Sequence, residues 1–201
     1  MDQITNILYW LSTGLMIPVT LFLIFFFVRS IVMIGGFYGL YLSRTKINAK
    51  LNHEIDTQTV EHLMASLPDY SPVKKSHLII ALERVKANEK KSLMLDKIMG
   101  DYEILSEKEL AKSRLLVKIG PMLGLMGTLI PMGPALVGLA TGDVASMASN
   151  MQVAFATTVI GIIIGAIGFI TLQVRQRWVA DDLNILEYIV SSFKEKQAYG
   201  E

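Results

Sequence analysis

Thr128, Thr157 and Thr158 stand in stretches made otherwise of aliphatic residues, glycine and proline. A hydroxyl in such surroundings does limited chemistry: it can bond across to a neighbouring helix or face a polar path. Prolines stand beside the first of them, at Pro121, Pro131 and Pro134. Each of the inner two removes a backbone N–H, so the carbonyls of Gly127 and Ile130 lose their usual i+4 donors. Inside a membrane such carbonyls must face protein or a watery lumen. Two readings of the segment stand side by side, a proline kink within ordinary helix packing and a polar pathway past Thr128.

Around the hydroxyls lie small residues at helical spacing. Gly120-x-x-x-Gly124 is followed by Gly127, and Gly161-x-x-x-Gly165 by Gly168, so two helices carrying these faces can approach closely. Other chemistry is missing. With no cysteine in the chain, disulfides, thiolate metal sites and cysteine nucleophiles are excluded. His53, His62 and His77 are scattered, without an acidic cluster beside them, and read as solvated surface residues and not metal ligands. No phosphate-binding loop, dinucleotide motif or nucleophile elbow is present, so neither an enzyme nor a cofactor is expected.

The elements that must position these residues are membrane spans. The chain has 201 residues, 52% of them hydrophobic, and a mean hydropathy of +0.44, too apolar for an ordinary soluble domain. From Ile119 to Val174 the only charged side chain is Asp143. The division expected is span one over 4–28, a helical region over 29–114, span two over 115–139, a turn over 140–150, span three over 151–174 and an amphipathic tail over 175–201. The fold class is thus an all-α integral membrane protein. Residues 1–28 and 119–174 hold no Lys or Arg, which places the N-terminus and the Thr141–Asp143 turn outside, and the middle region and C-terminus in the cytoplasm. The first thirty residues lack a basic leader and a small-residue cleavage site, and read as a retained span.

Within 29–114, the glycines Gly35, Gly36 and Gly39 suggest either a helix packing closely on a neighbour or a bend. A helix is expected from about Ile47 to Leu67, then a turn with Ser71 as N-cap and Pro72 at the first helical position. The next helix carries Leu78, Ile79, Leu82 and Val85, a face able to pack on the one before it. Ser106 and Glu109 have capping-box spacing, with a continuous helix from about Leu93 as the alternative. Basic and acidic residues interleave throughout this region, a mixed solvated surface that fits no nucleic acid. In the tail, Trp178, Leu183, Leu186, Ile189, Val190 and Phe193 form one stripe. Ion-conducting proteins use intramembrane carboxylates or histidines, and these spans carry none at depth. If ions cross, another chain supplies the titrating group.

Pro121-Met-Leu-Gly-Leu-Met-Gly-Thr128 resembles the second-span signature of the ExbB/TolQ/MotA proton-channel family, and Thr158-Val-Ile-Gly161 resembles an element of its third span. The ExbB/TolQ branch is the most similar. The resemblance implies a pore-forming subunit of an energy-transducing complex that couples ion flow, with the proton as the expected ion, to envelope transport or mechanical work. It implies a pentamer around an ExbD/TolR-like single-span partner bearing a membrane Asp, in the cell membrane. Thr128 and Thr158 would be pore-facing, with Thr157 grouped beside them on the ion pathway. The chain departs from the family pattern at Val153, where a Glu is frequent, at Ile167, where a Pro is common, and in the additional Pro131 and Pro134. A non-conducting oligomeric membrane scaffold is the alternative function.

Overall fold

A computed structural model of the chain describes residues 2–57, 77–89 and 91–199. Its elements are α1 (Asp2–Gly14), α2 (Met16–Thr57), α3 (His77–Ala87), α4 (Ser92–Ala140) and α5 (Val144–Tyr199), with no strand among the described residues. The all-α class expected from the sequence is therefore found. Three stretches, Tyr9–Tyr41, Ser92–Ala140 and Val144–Gln197, are long and apolar enough to cross a membrane.

Local chemistry explains where the long helices stop. Pro18 has no N–H and its ring crowds the carbonyl four residues back, that of Gly14, so α1 ends there and α2 begins two residues later, at Met16. The Leu15 amide is shared between the carbonyls of Leu11 (3.2 Å) and Ser12 (3.1 Å), and Val19 resumes the ladder onto Leu15 (3.0 Å). At the other break, Gly142 takes a left-handed φ of 77°. The Asp143 amide then reaches back to Gly138 O (2.8 Å) and the Gly142 amide to Leu139 O (3.2 Å). This pair of bonds is the Schellman ending, which satisfies the last carbonyls of α4. Asp143 immediately caps α5, its Oδ1 accepting from the Ser146 amide at 3.0 Å. The lone charge of the apolar segment is thus spent on a helix start. The connection is also shorter than the 140–150 turn expected, since α5 begins at Val144 and residues 144–150 are helical.

The chain divides into two compact units, the first formed by residues 1–35 and 112–172, the second by 36–111 and 173–201. In the first, Leu23, Leu116 and Ile164 are buried from three different helices, with Phe26, Phe27, Met33, Leu123 and Ile160 packed around them. Most other apolar side chains of this unit point outward, Trp10, Leu21, Phe25, Leu129, Phe155 and Ile162 among them. Such a surface suits lipid or other copies and not water.

The second unit has a conventional core. Leu78, Ile79, Leu82 and Val85 of α3 pack with Leu95, Ile98 and Tyr102 of α4 and Ile185, Leu186, Ile189 and Val190 of α5. Among the described residues these are the partners of the apolar face on α3, and the side chains of the preceding helix expected there lie outside them. Tyr102 donates its hydroxyl to the fully buried Asp182. The exposed pairs Arg84–Asp101 (3.1 Å) and Lys194–Asp96 (2.6 Å) lie at the periphery, where such contacts contribute little.

Several local expectations are corrected. No helix starts near Ile47, because α2 runs unbroken to Thr57, and the predicted end of that helix, with Ser71 and Pro72, lies outside the described residues. Gly35, Gly36 and Gly39 lie inside the continuous helix α2, and a Cβ added at any of them would find open space. Ser106 and Glu109 form no cap; both lie inside α4, Ser106 buried and Glu109 3.4 Å from His77 Nδ1. The tail is likewise no separate element, being the last part of α5.

Candidate functional site

Within the first unit α4 and α5 lie backbone against backbone. A Cβ built on Gly120 would stand 2.7 Å from Gly161 O and 2.8 Å from Gly165 N. From the other side, a Cβ on Gly161 would stand 2.6 Å from Gly120 O and 2.8 Å from the Gly124 Cα. No side chain fits in that gap. Gly168 is equally tight, 2.8 Å from Val117 N, whereas Gly165 faces the ring of Pro121 at 3.0 Å and Gly124 has ordinary contacts from 3.4 Å outward. The pairing follows from the sequence: each helix repeats glycine at steps of four and three, which returns to one face every two turns.

Thr157 belongs to this contact. It is buried, a Cβ on Gly127 would lie 2.6 Å from its Oγ1, and its hydroxyl donates to Ala154 O (2.9 Å) and Val153 O (3.1 Å) of its own helix. The structure therefore separates Thr157 from the other two threonines. Thr158, next in the chain and about 100° round the helix, is half-buried and bonds Ala154 O at a long 3.2 Å. Thr128 is also half-buried, and its hydroxyl donates to Leu125 O at 2.7 Å, not to the carbonyls released by Pro131 and Pro134. Those prolines do not end α4, which continues through Pro121, Pro131 and Pro134 to Ala140. Near its C-terminal end Gly133 lies against Tyr9, whose ring edge would be 3.8 Å from an added Cβ.

Sequence reasoning missed three buried hydroxyls in the same unit. Thr171 donates to Ile167 O (2.8 Å) and Gly168 O (3.0 Å) and lies 3.4 Å from Ser113 Oγ. Ser113 in turn reaches Met33 Sδ at 3.9 Å, and Ser30 donates to Phe27 O at 2.7 Å. The signal was available: Thr157, Gly161, Ile164, Gly168 and Thr171 follow steps of four and three, so Thr171 lies on the face already marked by the glycines. Among the described residues no group of three or more His, Asp or Glu is placed to hold a metal ion. Val153, Thr158 and Thr128 present hydroxyl and apolar surface without a carboxylate beside them in the sequence. Hydroxyls of this kind can hydrate an ion but cannot themselves take up and release a proton near neutral pH.

Comparison with known proteins gives one match. The model of the MotA/TolQ/ExbB proton channel family fits residues 70–187, which takes in the glycine contact between α4 and α5. No curated protein and no solved structure matches the chain.

Proposed function

The chain belongs to the MotA/TolQ/ExbB proton channel family, and from that premise we propose that it is the pore-forming subunit of an ion-driven complex, of the ExbB/TolQ branch. It assembles as a pentamer in the cell membrane, with its N-terminus outside and the region between the first two spans in the cytoplasm. Ion flow, of protons in the first instance, is coupled to transport across the envelope or to mechanical work on it. The observation that carries this reading is that the family match runs through both glycine-and-threonine segments, 120–128 and 157–168, while neither holds a carboxylate. The titrating group then comes from a partner, a single-span chain of the ExbD/TolR kind with an Asp in its membrane helix. A carboxylate at that depth costs about 2.5–3.5 kcal/mol on insertion scales, and hydroxyl-lined surface lowers the cost.

Thr158 and Thr128 are the hydroxyls assigned to that path, and Thr157 is assigned to helix packing. Of the two, Thr158 is held by the longer hydrogen bond and is freer to turn toward a water or an ion. The test is ion flux in vesicles containing the chain and its partner. Thr158→Val abolishes flux with the pentamer intact, Thr128→Val reduces it, and Thr157→Val leaves it near wild type. Wild-type flux in the Thr128→Val/Thr158→Val double variant overturns the assignment and favours a non-conducting scaffold.

A further inference from the structure

Arg175 ends the longest uncharged run of the chain, Val144 to Val174, which begins directly after Asp143. At ~1.5 Å per residue that run extends roughly 46 Å, about the ~40–45 Å of a bilayer with its headgroups. With the Asp143 turn at one surface, Arg175 stands among the headgroups of the other.

The surroundings of Arg175 in the second unit are unusual for an arginine. Its Nε is buried and finds no hydrogen-bond acceptor among the described residues. A buried donor left in that state is costly, and an acceptor brought to it recovers the loss. One turn further, at i+3 and hence on the same face, Trp178 stacks on Phe37, with ring centroids 5.5 Å apart and planes 16° from parallel, and lies 6.0 Å from Tyr41. Aromatic rings of this kind gather at headgroup depth, where an apolar body and a polar edge are both satisfied. The acids nearest along the helix, Asp181 and Asp182, lie about two turns on, and Asp182 is engaged by Tyr102.

We propose that Arg175, with the Phe37–Tyr41–Trp178 aromatic cluster beside it, binds the phosphodiester headgroup of an anionic phospholipid. The phosphate supplies the acceptor that Arg175 Nε lacks, in the geometry for which arginine is suited. The glycerol and upper acyl region lie along the rings. A basic residue at the inner end of membrane helices is a recognised setting for such headgroups. The proposal rests on the membrane reading of α5 and not on ion conduction, so flux and lipid selectivity fail independently.

The chain has two tryptophans, and Trp10→Phe leaves Trp178 as the only one. In this background the full chain is reconstituted in phosphatidylcholine vesicles, and host lipid is replaced stepwise by brominated phosphatidylcholine or brominated phosphatidylglycerol. Trp178 emission is quenched by both lipids, with about a fivefold preference for phosphatidylglycerol, the size expected of one basic residue at an anionic surface. Arg175→Gln brings the preference close to one while quenching by brominated phosphatidylcholine is unchanged, which shows that the variant is folded and inserted. Arg175→Lys keeps part of the preference. Arg177→Gln, about 100° away from Trp178 on the helix, keeps all of it. Equal quenching by the two lipids overturns the proposal, as does equal loss in Arg175→Gln and Arg177→Gln, which indicates diffuse surface attraction. Absence of quenching by either lipid also overturns it, because another protein surface then covers the cluster.

Discussion

Alanine at Gly161 and alanine at Gly124 form a matched pair that isolates the backbone contact between α4 and α5. Both glycines are helical, so both substitutions gain the same helix propensity, up to about 1 kcal/mol. They differ in what the new methyl meets. At Gly161 it lies 2.6 Å from Gly120 O, 2.8 Å from Gly124 Cα and 3.0 Å from Gly124 N, all backbone atoms with no rotamer to change. At Gly124 the nearest atoms stand at 3.4 Å, ordinary contact. Relieving the clash at Gly161 requires the helices to part by roughly 0.5–1 Å, and a gap of that size forfeits about a quarter to a half of the dispersion energy at each neighbouring contact. The overpacking cost is about 1–3 kcal/mol. Because propensity cancels, Gly161→Ala is expected to be less stable than Gly124→Ala by that amount, measured as helix loss in detergent micelles titrated with a denaturing detergent. Equal stability of the two variants, or a less stable Gly124→Ala, refutes the reasoning.

Gly142 has open space around its missing Cβ but a left-handed φ, so Gly142→Ala costs about 1 kcal/mol through the backbone alone, and Gly142→Asn costs less; the same micelle titration reads both. In the second unit, Asp182→Ala removes the buried acceptor of the Tyr102 hydroxyl and is expected to cost about 1–3 kcal/mol. Tyr102→Phe added to it costs little more, and fully additive losses would show that the two residues act apart. On topology, Gly142→Cys reacts with an impermeant thiol reagent applied to the outside of cells, while Asn88→Cys reacts only after permeabilisation; the opposite pattern reverses the proposed orientation.

Much of the close helix contact was legible because glycine spacing is a direct record of where backbones meet. The steps of four and three that join Gly120, Gly124 and Gly127, and those that join Gly161, Gly165 and Gly168, mark a face whatever the partner is. What spacing could not give was the side of that face on which a neighbour falls. Thr157 and Thr158 are adjacent and chemically identical, and only the position of Gly127 against Thr157 makes one a packing residue and leaves the other half-exposed. The helix boundaries erred for a different reason. A new helix was expected to start near Ile47, but a change to charged composition does not break a helix; the left-handed Gly142 does, and so does the missing N–H at Pro18, though those of Pro121, Pro131 and Pro134 do not. No proline falls between Arg29 and Thr57, and α2 continues; Pro18 and Gly142 act where the sequence had read uninterrupted span or a longer turn.

The same reasoning explains the buried Asp182. Continued along α5 at the same steps, the face of Thr157, Gly161, Gly168 and Thr171 passes through Arg175, Trp178, Asp182, Ile185 and Ile189. Glycine and threonine stand on it where α4 comes within backbone contact, and Ile185 and Ile189 where side chains fill a core with α3 and α4. A carboxylate on such a face must be buried, and it is tolerated only with a donor supplied to it. Tyr102 supplies that donor from α4. One periodic face thus carries two kinds of packing, and the size of its residues, read in order, tells where one gives way to the other.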